Sequence, residues 1–156
     1  MLVSLYMRFL GVDFGMKRIG LAISDENGTL AFPKEIVLND QNKFTRISEI
    51  IKQENVEEIV IGESVDFSGR LNMLMSHIEL FITELEETYH LPVYRQKEFL
   101  TTVEARRSKN GKQEMSPSQA HSKLKDTKRG RVDASAAALI LQRYLDKRNK
   151  LLEKNK

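Results

Sequence analysis

LGVDFGMKRIGLAISD, Leu10 to Asp25, sets an aspartate at the end of an apolar run and follows it with two cations in a glycine-bounded turn. Phe9, Leu10 and Val12 read as the middle of a buried strand, and Ile19-Gly20-Leu21-Ala22-Ile23 reads as a second one. Asp13 closes the first of these strands. A carboxylate in that position is costly unless it pairs, stays hydrated or binds a metal ion. Asp13 can also accept hydrogen bonds from the turn that follows it, so the rest of the chain has to decide its role.

Outward from this hairpin, Ala31 to Leu38 forms a third strand, with Pro33 near its start. The short spacings favour an antiparallel meander. Asn39 or Asp40 is placed to cap a helix carrying Phe44, Ile47, Ile50 and Ile51. Glu58 to Gly62 is a short β-branched strand, after which Leu71, Leu74, Met75, Ile78, Phe81, Ile82 and Leu85 mark a long amphipathic helix. Leu91 to Arg95 gives a fifth strand that ends at Gln96-Lys97-Glu98. Thr101 and Glu104 fit a capping box. The last helix is expected to start near Val132-Asp133 and to carry Ala136, Ala137, Ile140, Leu141, Tyr144 and Leu145. The order implies an α/β domain: three antiparallel strands, then parallel crossovers, in a mixed five-stranded sheet flanked by helices.

At 156 residues, 40% apolar and 30% charged, the chain suits one globular domain with a proper core. The expected division is a domain over 1–146, with 1–6 as an extension, and a charged, fraying tail over 147–156. Cysteine is absent, which excludes disulfides, thiolate zinc sites and thiol nucleophiles. The three histidines show no metal-ligand spacing. No apolar run approaches a membrane span and no signal peptide is visible, so a cytoplasmic protein without a membrane partner is expected.

The net charge of +3 is mild, but its distribution is uneven. Between Arg106 and Arg131 nine cations stand against two acids. Gly111, Pro117 and Gly130 make this segment read as mostly loop, either a solvated one or a phosphate-binding arm. Three acids fall at element ends: Asp13 after the first strand, Glu98 after the fifth, and Asp133 at the start of the last helix. Singly, Glu98 reads as exposed and Asp133 as a helix N-terminal residue favoured by the dipole.

Together, LGVDFGMKRIGLAISD, EFLTTVEARR and GRVDASAAALILQRYLD resemble the YqgF/RuvX family, from about Met7 to Asp146. These are ribonuclease H-like proteins described as Holliday junction resolvases and as nucleases maturing the 16S ribosomal RNA precursor. The resemblance implies a ribonuclease H-like fold and a metal-dependent endonuclease acting on structured nucleic acid, either an rRNA precursor or branched DNA. It makes Asp13, Glu98 and Asp133 both the catalytic carboxylates and the ligands of Mg²⁺ or Mn²⁺, as two ions. Lys17, Arg18, Arg106, Arg107, Lys128, Arg129 and Arg131 become the nucleic-acid-binding cations. A monomer or weak homodimer is expected. The alternative is a non-catalytic nucleic-acid-binding module of the same fold.

The sequence departs from the family pattern where Lys97 and Phe99 flank Glu98, and where the turn after the fourth strand reads Gly62-Glu63-Ser64. Adjacent strand residues face opposite sides, so Lys97 either stands beside the acids or points away from them. Glu63 and Asp66 either add acids at the cleft edge or line a loop.

Overall fold

A computed structural model describes residues 6–65, 72–99 and 122–156, with side chains for all of these except 64–65, 72–73, 98–99 and 122–133. Five strands form one sheet: β1 (Arg8–Phe14), β2 (Arg18–Ser24), β3 (Ala31–Leu38), β4 (Val56–Val65) and β5 (Val93–Phe99). Helices α1 (Lys43–Gln53), α2 (Asn72–Tyr89) and α3 (Ser122–Lys154) complete the described elements. The spatial order is β3-β2-β1-β4-β5. The meander pairs β1 with β2 and β2 with β3 antiparallel, whereas β4 pairs parallel with both β1 and β5. This is the expected mixed sheet.

The two-residue strand period sorts the sheet into two faces. Leu10, Val12, Ile19, Leu21, Ile59 and Ile61 pack into one buried cluster with Ile47 and Ile50 of α1 and Ile78, Phe81, Ile82 and Leu85 of α2. Phe9, Ala22 and Val60 point the other way, onto Ala137, Ile140, Leu141 and Leu145 of α3. The apolar positions of α3 recur at helical spacing, so one stripe covers the sheet.

Several boundaries differ from expectation. The α1 helix starts at Lys43 with Asn42 at its N-cap, because Asp40 closes a turn by accepting the Asn42 N–H at 2.9 Å. The β4 strand extends to Val65, so Gly62-Glu63-Ser64 is strand rather than turn, and β5 extends to Phe99, so Glu98 lies within it. Parallel pairing with β4 runs through Ser64↔Glu98 and Val65↔Phe99, which carries both strands past their apolar centres.

The largest difference is α3, which begins at Ser122. Asp133 therefore sits about three turns inside the helix and is no N-terminal cap. Lys128, Arg129, Gly130 and Arg131 are helical, not loop. Lys, Leu and Arg are good helix formers, and a single interior glycine costs only about 1 kcal/mol. The charged segment after Asp146 is also helix, to Lys154. Arg148 lies 5.1 Å over the Phe9 ring and the Asn149 amide donates to the Gly28 carbonyl at 3.0 Å, so this segment packs on the sheet. The Thr101–Glu104 capping box, Asp66, and Arg106 and Arg107 of the basic segment lie outside the described residues. Among the described residues, no helix is long and apolar enough to cross a membrane.

Candidate active site

Asp13 is the penultimate residue of β1, partly buried and paired in register with Gly20 of β2. Phe9 and Gly11, its neighbours at two-residue spacing, face α3, so Asp13 belongs to that face. With Phe14, Gly15, Lys17, Arg18 and Gly20 it lines a depression of about 290 Å³. The β1–β2 turn around this depression is braced from outside. The Asn39 side-chain amide donates to the Gly15 carbonyl at 3.0 Å, and the Asn39 backbone N–H donates to the Lys17 carbonyl at 2.9 Å. A Cβ on Gly15 would stand 2.5 Å from the Arg18 carbonyl oxygen, so the turn needs a glycine there. Lys17 and Arg18 are thus held at the mouth of the depression that contains Asp13. Asn39 reads from sequence as a helix cap, and its bracing role is visible only in the fold.

Glycine also sets how closely α3 approaches the sheet. A Cβ on Gly11 would lie 2.7 Å from Leu141 Cβ and 3.0 Å from the Ala137 carbonyl; one on Gly62 would lie 2.4 Å from Ile140 Cδ1. The contacts fix direction as well. Phe9 meets Tyr144 and Arg148, while Gly11 meets Leu141 and Ala137, so α3 runs antiparallel to β1. One more helical turn advances about 6 Å and two more strand residues about 6.6 Å. Continuing this register puts the backbone of Asp133 level with Asp13.

Glu98 follows from the strand register. Tyr94 stacks on Tyr144 of α3, with ring centroids 5.6 Å apart, so Tyr94, Gln96 and Glu98 are positions of the α3 face. Val12 pairs with Ile61, and Gly62 pairs with Gln96. Glu98 is therefore two strands across from Asp13, about 10 Å, and two residues further out, about 6.6 Å. By backbone position, the three acids fall at one end of the sheet on its α3 side, on β1, β5 and α3. The side chains of Glu98 and Asp133 lie outside those described, as do those of Lys128, Arg129 and Arg131.

Lys97 belongs to the opposite face. Its neighbour Arg95, two residues back, pairs with Glu79 of α2 and reaches Glu63 at 3.9 Å. Lys97 is in register with Glu63 and exposed. Of the two alternatives for Lys97, the one pointing away holds. Glu63 likewise neither lines a loop nor joins the acids; it lies across the sheet from them with Arg95.

The sequence model of the RuvX family, described as Holliday junction resolvase, matches residues 7–147. The chain belongs to the RuvX family. It is 37% identical over 142 residues to a Thermoanaerobacter pseudethanolicus protein named "Putative pre-16S rRNA nuclease", covering 90% of this chain and 96% of that one. A Streptococcus pyogenes serotype M1 protein of the same name is 38% identical over 149 residues, covering 90% and 99%. Among solved structures, Thermus thermophilus RuvC in complex with Holliday junction substrate matches with a TM-score of 0.54 at 15% identity, covering 93% of this chain and 97% of RuvC. The fowlpox virus Holliday junction resolvase matches at 0.50 and 17%, covering 90% and 99%. At such identities these two structures establish the fold alone, the ribonuclease H-like architecture expected from the motifs.

Proposed function

We propose that this RuvX-family chain is an endonuclease that hydrolyses phosphodiester bonds in structured nucleic acid, with a 16S rRNA precursor as substrate. The observation that carries this reading is the shared face and end of the sheet occupied by Asp13, Glu98 and Asp133, beside the cations Lys17 and Arg18. Nuclease names on relatives 37–38% identical over 90% of the chain support it, and they favour RNA maturation over junction resolution.

The donor set suits a hard divalent cation, since carboxylate oxygens in a chain without cysteine match Mg²⁺ or Mn²⁺. Asp13, Glu98 and Asp133 would hold the ions. When bound, such ions lower the pKa of a water and stabilise the leaving oxygen. The chain's own part is to present three acids from a rigid sheet and helix rather than from loops, which fixes their spacing before substrate arrives. Lys17 and Arg18, anchored through the Asn39 brace, attract phosphate and orient the backbone at the mouth of the depression.

The test is cleavage of an rRNA precursor end and of a four-way DNA junction, with Mg²⁺ or Mn²⁺, beside Asp13→Asn. Metal-dependent cutting of the RNA, lost in the variant with binding retained, is the expected result. Cutting of the junction alone would reassign the substrate to branched DNA. Tight binding without cutting of either, or equal cutting by the variant, would leave a binding module in place of an enzyme.

A further inference from the structure

A second feature of the α3 face lies beyond the acids. The edge strand β5 and the C-terminal half of α3 enclose a groove of about 360 Å³ lined by Gln96, Tyr144, Lys147, Arg148, Leu151 and Leu152, with Arg95 at its rim. Among the described residues, no carboxylate lines it. Tyr144, in its wall, stacks on the neighbouring Tyr94 with ring planes 25° apart, and Tyr94 remains 39% exposed beside the groove. Leu151 and Leu152 are 55% and 49% exposed, an unusual density of apolar surface on a helix otherwise dressed in charge.

Charge and chemistry together narrow what fits. From Gln142 to Lys156 six cations stand against Asp146 and Glu153, so the helix end is basic as well as apolar. Glu79 and Glu63 on the far face offset Arg95, and the Glu58 carboxylate faces Arg148, which leaves Lys147 as the groove's main cation. Aromatic rings beside cations, with an amide within reach, suit a chain of bases linked by phosphates better than a purely apolar helix or an acidic peptide. Burial keeps the Tyr144 hydroxyl protonated up to about pH 12, so it remains a hydrogen-bond donor at every working pH.

Position supplies the second argument. Gln96, at one end of the groove, is two residues before Glu98 on the same strand and the same face. We infer that this groove holds an unpaired nucleic-acid segment next to the bond being cut, with a base stacked against the Tyr144–Tyr94 pair and a phosphate at Lys147. The inference rests on the nuclease reading for its substrate class, but the groove's occupancy is measured separately from cleavage.

The experiment measures fluorescence anisotropy of a labelled oligouridylate with the full chain in EDTA, across a salt series. Wild type is compared with Tyr94→Ala and Lys147→Glu, and thermal melts check that each variant is folded. Tyr94→Ala is expected to weaken binding about tenfold. Lys147→Glu, at an exposed helical position, is expected to weaken it and to reduce the salt slope by about one phosphate contact. Wild-type affinity in both folded variants would overturn the inference even if the protein cleaves normally. Weakened binding in a protein that cuts neither substrate would keep the groove and discard the enzyme. If an equally long duplex binds as tightly and is equally sensitive to Tyr94→Ala, the assignment to an unpaired strand is wrong.

Discussion

The two faces of the sheet are built on different plans. The face toward α1 and α2 is filled by large side chains: Leu10, Val12, Ile19, Ile59 and Ile61 meet Phe81, Ile82 and Leu85. Phe14 and Phe81 lie 4.9 Å apart, Phe44 and Phe81 5.8 Å, extending the cluster into an aromatic group. The face toward α3 uses small residues, with Gly11, Gly62, Ala22 and Ala137 letting the helix backbone close on the strands. It also carries the polar residues Asp13, Ser24 and Glu58 among its small ones. Stability is concentrated where the side chains are large; close approach and chemistry are concentrated where they are small.

The greatest effect expected on this contrast is on activity. Asp13→Asn removes a carboxylate from the α3 face and should lower cleavage by orders of magnitude, read in the assay above. A substitution on the other face should do the converse. Leu85 is fully buried, and Leu85→Ala is expected to cost about 2–5 kcal/mol in a urea melt while leaving cleavage per folded molecule unchanged. If Leu85→Ala instead cost under about 1 kcal/mol, the α1/α2 face would not be the stabilising one.

Gly11→Val addresses the α3 face itself. The added side chain starts 2.7 Å from Leu141 Cβ, and neither the strand nor the Ala137 carbonyl can yield cheaply. A loss of about 1–3 kcal/mol is expected, together with reduced cleavage because α3 and its Asp133 move off the sheet. Full activity in a folded Gly11→Val protein would break the link between helix closeness and the acids.

The smallest effect concerns Glu58, on the α3 face near Tyr144 and Arg148. Burial raises its carboxyl pKa above the ordinary 4.5, partly opposed by the Arg148 charge. Below 4.5 the side chain is protonated in both folded and unfolded states and carries no penalty. As the pH rises past that value the unfolded state ionises first, and stability falls until the folded carboxyl ionises too. Glu58→Gln should therefore match wild type in acid and exceed it slightly at neutral pH, in paired urea melts. A less stable variant at neutral pH would mean that the attraction to Arg148 outweighs burial.

Local chemistry made much of this legible. Periodicity alone separates the strands around Leu10, Ile19 and Ile59 from the helix carrying Ile78 and Leu85, and the short connections dictate the meander. The position of Asp13 at the end of a buried run marks it as a residue needing an explanation before any fold is known. Asn39, Gly11 and Gly62 gave weaker signals, because a brace and a close approach involve partners far away in the chain.

What the sequence by itself determined is therefore the order of the five strands and of α1, α2 and α3, and the placing of Asp13 and Glu98 near strand ends. Only the tertiary structure decided which face each acid shares, because strand alternation is a relative signal until distant helices select the sides. That selection turns Lys97 and Glu63 away and puts Asp133 well inside a helix level with Asp13. Boundaries moved for the same reason: β4 and β5 extend because each completes the other's backbone hydrogen bonds, a partnership that neither segment encodes alone.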